Sequence, residues 1–354
     1  VIVVLVVVTG LRAWSVPVYA LTPGNATPVG PLVRIHGVAT DPHHDKIMLT
    51  DVFLQSLSAW QWLTMHFESH VQFVPANELI DPGVPADELG PQGFLQMNDS
   101  KQAAEVAAFR ALGWTVPSTH SGVIVNAVVA PSPARSAGVH VADDIVAVDA
   151  TPVSDTCALI GRVHAMAPGT SVRLRVARAV ISSTGVISYK KPSTVTVKTA
   201  VAPKGLQAPA CPGITGSGHS WLGVGLEDGI VYTLPATVSI DTSNIGGPSA
   251  GLAMTLTLID RLSEGSLTGH QVVAATGTID AEGNVGDVGG VSEKTVAAQR
   301  AGVKYFIVPQ VEVATARRAA SPGLKIIGVT TLAQALGELR AIGGASPVAL
   351  TTPH

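Results

Sequence analysis

The sequence predicts an α+β chain made of several domains, and three observations carry that expectation. At 354 residues the chain passes the size at which a single hydrophobic core stops growing. Its middle third alternates short strand patterns with Pro/Gly turns, whereas its last third alternates strand and helix patterns. Between them lies Ala202 to Ser220, which holds Pro203, Gly205, Pro209, Pro212, Gly213, Gly216 and Gly218, the composition of a linker (residues 203–220).

Formal net charge is −3 with no basic block, so nothing points to nucleic acid. Charged residues are 13% of the chain, and mean hydropathy is +0.37. Part of that apolar excess is Val1 to Val8, extended by Thr9-Gly10-Leu11. As it stands the run is shorter than the ~20 residues of a membrane span, and with further residues upstream it would make a complete one. We expect an uncleaved N-terminal membrane anchor over residues 1–21, with the rest outside the cytoplasm; a signal-peptide core or a buried strand are the alternatives. Arg12 on the outer side runs against the positive-inside pattern.

Residues 22–113 read as an N-terminal α+β segment. Pro17 to Pro31 is an extended exit, Leu32–Ile35 and Lys46–Val52 alternate like strands, and Leu57–Phe67 is an amphipathic helix. His43-His44-Asp45 is set aside as a metal cluster, because adjacent strand side chains face opposite ways and no partner ligand has convincing spacing. No metal site is expected. Pro75 to Gly93 reads as a connection, and Asp99-Ser100 as the cap of a helix over Lys101–Leu112 that ends at Gly113.

Residues 114–202 form a small strand-rich unit. Gly122-Val123-Ile124-Val125 starts a strand and Ser132-Pro133-Ala134 makes a turn. Ala137-Gly138-Val139, Asp143 to Asp149 and Thr151-Pro152-Val153 follow, then a helix over Thr156–Ala165 and the alternating strand Val172–Val176. This order resembles a PDZ domain of the bacterial protease type. The resemblance implies that Ser121 to Asn126, with Gly122, Val123, Ile124 and Val125 at its centre, hold an extended peptide as an added strand. A structural β-domain that only spaces the chain is the plainer reading. Cys157 and Cys211 permit one disulfide in an exported protein, or are two separate buried thiols.

Residues 221–345 read as an α+β unit, followed by a tail, 346–354. Trp221–Leu226 and Thr237–Ile240 are strands. Asn244-Ile245-Gly246-Gly247-Pro248-Ser249-Ala250-Gly251 then feeds an apolar helix, with Ser249 expected in its first turn. A serine beside the unpaired N–H groups of a helix start sits where developing negative charge is stabilised. Gly289-Gly290 opens a second helix bearing Lys294, 45 positions later (294 − 249). A serine hydroxyl needs a base, and a lysine serves only when burial lowers its pKa. Taken singly, Ser249 is equally a helix cap, Lys294 a solvated lysine and Thr276 a cross-strand threonine.

Together, Gly-Pro-Ser-Ala-Gly, Val273 to Ile279, Gly-Gly-Val-x-x-Lys-x-x-Ala-Ala and Ala301 to Pro309 resemble, in order and spacing, the proteolytic domain of the Lon proteases. That resemblance implies a catalytic dyad of Ser249 and Lys294, a lysine-orienting Thr276, and an oxyanion loop at Gly247, Pro248 and Ala250. One departure is Gly246, where many Lon domains carry an acid. No phosphate-binding loop is present: Gly289 to Thr295 ends in Lys-Thr, but Glu293 stands where such a loop needs glycine. Neither nucleotide nor other cofactor is expected. The whole order resembles the membrane-anchored PDZ–Lon proteases. This implies an ATP-independent serine endopeptidase at the cell membrane, acting on protein or peptide substrates and assembling as a homo-oligomer, a hexamer in the family. The rival is a PDZ scaffold with a Lon-like assembly domain that binds peptides without cutting them; a third reading is self-cleavage in the linker.

Overall fold

A computed structural model describes residues 2–42, 46–80, 82–206, 210–214 and 218–350, with side chains from residue 8 onward. His43-His44-Asp45 lie outside the described residues, among which no group of His, Cys, Asp or Glu is arranged to hold a metal.

The chain opens with helix α1 (Ile2–Ala13) and turns at once into strand β1 (Ser15–Pro28). Strands β2 (Val33–His36) and β3 (Ile47–Ser58), helix α2 (Ala59–Met65), strand β4 (Gln72–Pro75), the single turn α3 (Ala76–Leu79) and the long helix α4 (Leu89–Ala111) follow. Of the residues 1–21 expected as an anchor, Ile2–Ala13 form a twelve-residue helix, about 18 Å at 1.5 Å per residue, and those from Ser15 on belong to β1. Among the described residues no helix is long and apolar enough to cross a membrane. Nor is Pro17–Pro31 an exit segment, because β1 is hydrogen-bonded to β3 on one side and β4 on the other. Its prolines fit because register breaks fall at Val16/Tyr19 and Pro23/Ala26, where a strand tolerates a missing N–H.

Helix α4 also starts twelve residues earlier than Lys101. Pro91 sits in the first turn, where its missing N–H has no intrahelical acceptor to lose. Asp99 and Ser100 are therefore interior helix positions and not a cap.

The strand-rich unit comprises β5 (Ser118–Val128), the turn α5 (Pro133–Ser136), β6 (Asp144–Val148), β7 (Thr151–Pro152), helix α6 (Thr156–His164) and β8 (Ser171–Ala177). It continues through β9 (Ala179–Ile181), β10 (Ile187–Tyr189), β11 (Ser193–Lys198), β12 (Ala200–Val201), β13 (Ser220–Trp221) and β14 (Val224–Tyr232). The sheet order is β11-β8-β6-β5-β14, with β7 on β6. Its core packs Val123, Val125, Ile145, Leu174 and Val176 of the sheet with Leu159 of α6. Strand β14 was expected to open the catalytic unit. It instead pairs with β5 from Val224↔Val128 to Tyr232↔Ser118, so this sheet extends past the linker.

The last part holds β15 (Thr237–Ile240), helix α7 (Gly251–Leu262), β16 (Val273–Ala275), β17 (Thr278–Ile279), β18 (Val285–Gly286), helix α8 (Val291–Arg300), β19 (Tyr305–Pro309), helix α9 (Val313–Ala319), β20 (Lys325–Val329) and helix α10 (Leu332–Ala341). The main sheet runs β20-β19-β16-β3-β1-β4. Its C-terminal strands are parallel, and β16 pairs in parallel with β3 from the N-terminal segment. Residues 22–113 are therefore no separate unit; they complete this sheet, and the strand-rich unit is inserted between its two halves. Helix α7 is buried at every residue except Arg261, and its Thr255 and Thr257 hydroxyls donate to the Gly251 and Ala253 carbonyls one turn back. It packs with α4 on one face of the sheet, while α8 and α9 cover the other.

Candidate active site

The loop before α7 is held by backbone geometry. Gly247 adopts φ +84°, a left-handed conformation that favours glycine. Its N–H donates to the Gly93 carbonyl on α4 (2.8 Å), and the Ser100 hydroxyl, also on α4, donates to the Pro248 carbonyl (2.9 Å). A Cβ on Gly246 would stand 3.3 Å from the Gly93 backbone. The acid expected from the family pattern is thus replaced by a glycine-to-glycine contact with α4. The Ser249 carbonyl accepts two bonds from the neighbouring strand end, from Gly277 N–H (3.0 Å) and the Thr276 hydroxyl (3.1 Å).

Ser249 stands two residues ahead of the first residue of α7, not in its first turn, with Ala250 as the N-cap. The helix start still faces it with unpaired N–H groups. Of the expected oxyanion residues, Gly247 has already committed its N–H to Gly93, and Pro248 has none. The N–H groups of Ser249 and Ala250 have no acceptor among the described residues.

Lys294 reaches the same place from α8. That helix begins at Gly290 (φ +67°), which lies over Val52 of β3; an added Cβ would be 3.0 Å from Val52 Cγ1. Lys294 is only 3% exposed. Burial pushes its amine down to about 8, against the opposing pull of the Asp51 and Glu312 carboxylates. Its neighbour Glu293 is also buried, which raises that carboxyl, and Glu293 Oε2 has no hydrogen-bond partner. Ser249, Ala250 and Lys294 line one cavity of about 450 Å³ together with Asn25, Thr50 and Asp51.

Thr276 was expected to orient the lysine. Its hydroxyl proton goes instead to the Ser249 carbonyl, leaving only its oxygen lone pairs for the amine. The peptide edge expected at Gly122, Val123, Ile124 and Val125 is not open. Strand β5 has β6 on one side (Val123↔Ile145, Ile124↔Asp144) and β14 on the other. The sheet ends at β11 on one side and at β14, next to β5, on the other. Beside it α6, β14 and the linker enclose a second cavity of about 450 Å³, lined by Ile160, Val163, Leu222 and Leu226. The Thr156 N–H bonds Asp228 Oδ1 (2.7 Å), tying α6 to β14. Cys157 and Cys211 form a disulfide that fixes the linker to α6 along this groove.

Sequence reading missed Gly93 and Ser100, which anchor the serine loop, and Thr50 and Asp51 on the cavity wall. A period-two count along Lys46–Val52 puts Met48, Thr50 and Val52 on one face, the only available signal.

Residues 242–339 match the family model of the Lon protease (S16) C-terminal proteolytic domain. Residues 110–199 match that of the PDZ domain. The chain combines a Lon-like proteolytic domain with a PDZ-like domain. Among curated proteins, the Lon protease of Koribacter versatilis is 49% identical over 63 residues, 18% of this chain and 8% of that protein. The Lon protease of Rickettsia felis is 36% identical over 93 residues, 25% of this chain and 12% of that protein. The chain thus spans only a small part of the relatives it matches. Among solved structures, the PDZ domain of an SdrC-like protein from Listeria monocytogenes is 19% identical, covering 30% of this chain and 90% of that one, with a TM-score of 0.23. The proteolytic-domain similarities support a serine-type peptidase.

Proposed function

We propose that the protein is a serine endopeptidase working through Ser249 and Lys294 without nucleotide. The observation that carries this reading is that the two side chains line one cavity, and burial lowers the lysine to about 8. Ser249 Oγ attacks the scissile carbonyl carbon while its proton passes to the neutral Lys294 amine. The tetrahedral oxyanion is held by the Ser249 and Ala250 N–H groups. The lysine ammonium then protonates the leaving amine, and an acyl-enzyme remains. Water attacks the ester, giving its proton to Lys294, which returns it to Ser249 as the acid departs.

The PDZ-like unit serves substrate recruitment in this reading. A peptide adds to the open edge of β14, with its apolar side chains in the groove beside α6. The disulfide favours an oxidising compartment outside the cytoplasm. Trp14, Trp62, Leu63 and Phe67 are exposed near the apolar α1, which fits apposition to a membrane surface.

The test is cleavage of casein without ATP by the full chain, beside Ser249→Ala and Lys294→Ala. Cleavage by the parent alone supports the dyad, and equal cleavage by Ser249→Ala refutes it.

A further inference from the structure

Strand β3 presents Met48, Thr50 and Val52 to the face of the sheet covered by α8. Met48 packs in the cluster of Ala274, Val291 and Phe306, and Val52 lies beneath Gly290. One helical turn on from Gly290 is Lys294, whose N–H bonds the Gly290 carbonyl at 2.9 Å. Thr50 lies two residues back along the strand from Val52. In the parallel register Leu49 stands opposite Ala275, so the next residues, Thr50 of β3 and Thr276 just past the end of β16, follow side by side.

Thr50 is 2% exposed and lines the cavity shared by Ser249 and Lys294, yet its hydroxyl has no hydrogen-bond partner. A buried hydroxyl without a partner costs free energy, and such groups in native structures call for a working role. The cavity supplies one. A neutral amine has one lone pair and two N–H bonds. It acts as a base toward Ser249 only if the lone pair faces the serine, and that requires acceptors for the two N–H groups. Thr276 has given its proton to the Ser249 carbonyl and offers only lone pairs. Thr50 offers lone pairs that nothing else uses. Asp51 Oδ1 is engaged by the Asn25 N–H (2.8 Å), and a carboxylate acceptor would hold the lysine as an ammonium. A hydroxyl accepts an N–H without adding charge.

We infer that Thr50 is a positioning residue for Lys294: its oxygen accepts one N–H of the neutral amine, Thr276 accepts the other, and the lone pair is thereby turned toward Ser249 Oγ. The inference rests on the Ser249–Lys294 reading and assigns that site a third side chain from the N-terminal half of the sheet.

Thr50→Val keeps the shape and removes the oxygen, and Thr50→Ser keeps the oxygen. With casein-derived peptide substrate, Thr50→Val is expected to lower kcat about ten- to a hundredfold at unchanged KM, as a misaimed catalytic group does. Thr50→Ser should stay within about threefold of the parent. The Tm of Thr50→Val should equal or exceed the parent value, since an unpartnered buried hydroxyl is lost. A parent-like kcat in Thr50→Val overturns the inference, and so does a raised KM at unchanged kcat, which would make Thr50 a substrate contact. A crystal structure of the full chain at a pH above about 8 reads the contact without any substrate. Thr50 Oγ1 within about 3.2 Å of Lys294 Nζ supports the inference, and a hydroxyl bonded elsewhere overturns it. Cleavage that survives Ser249→Ala would instead sink the dyad itself, so the two failures are told apart.

Discussion

The cavity at Ser249 and Lys294 and the groove beside β14 are the same size, about 450 Å³ each, and are built by opposite means. The Ser249–Lys294 cavity gathers β3, the serine loop and α8, segments more than a hundred residues apart in places, and short hydrogen bonds to the backbone of the serine loop fix it. Gly93, Ser100, Thr276 and Gly277 all hold the loop around Ser249. The groove beside β14 is made of one helix, one strand edge and a linker, and a single disulfide fixes its third wall. Bond-making chemistry needs atoms placed to a fraction of an ångström, and many short bonds supply that. A groove that takes extended chains needs an open strand edge and apolar walls. Helix α4 touches both: Gln102 Nε2 donates to the Ile230 carbonyl of β14 (3.2 Å), while Ser100 holds the serine loop.

The largest effect should separate the cavities outright. Ser249→Ala and Lys294→Ala are expected to lower casein cleavage about a thousandfold or more, as the loss of either member of a cooperating pair does. Neither should change the affinity of a peptide ending in a valine carboxylate, followed by fluorescence anisotropy. Weaker peptide binding in both variants would show that the cavities are one site.

The next effect concerns the lysine charge. The folded-state pKa of about 8 lies below the ordinary value of 10.5, so the amine is neutral only above about 8. Cleavage should therefore rise with pH through about 8; a rate flat from acid to alkaline pH removes Lys294 as base. Stability follows the same sign. The unfolded chain binds the proton more tightly, so the cost of burying the ammonium is fully present below about 8 and is relieved as pH rises from there toward 10.5. Lys294→Met should be inactive yet about 1–3 kcal/mol more stable at pH 7, read by urea unfolding.

A smaller effect tests the loop. Ser100→Ala leaves the Pro248 carbonyl with only the longer bond from the Gly251 N–H (3.3 Å) and should cost about 1 kcal/mol of stability, with a fall in kcat and no change in groove affinity.

The same contrast explains what the sequence disclosed. Ser249 and Lys294 were legible because their surroundings demand glycine: Gly247 and Gly290 take positive φ, and Gly246 meets the α4 backbone. Backbone demands of this kind leave a pattern in the chain. Thr50, Gly93 and Ser100 leave none, since a threonine in a strand and a serine in a helix look ordinary until pairing decides what they face. The inserted unit hid the sheet for a similar reason: β3 and β16 are partners across more than two hundred residues, and no local period reports that pairing. Strand β14 was assigned to the wrong sheet because its alternation fits either one, and only its register with β5 decides.

The smallest effect bears on the groove wall. Leu206, Ala210 and Cys211 reach the groove from the linker, and Cys211 is held there by Cys157 in the first turn of α6. The remaining walls do not depend on that bond. Helix α6 is tied to β14 by the Thr156–Asp228 contact, and β14 is zipped to β5 along its length. Reducing the disulfide with a dithiol, or replacing both cysteines by alanine, should therefore loosen one wall and leave the strand edge intact. Affinity for the valine-ended peptide should fall about three- to tenfold, the loss of part of one apolar contact surface. Cleavage of casein by the Ser249 site should keep its kcat, because among the described residues no hydrogen bond of the serine loop runs through the linker. An equal fall in kcat would mean that the linker wall is felt through α4 at Pro248. Unchanged peptide affinity would mean that peptides engage the β14 edge without touching the wall.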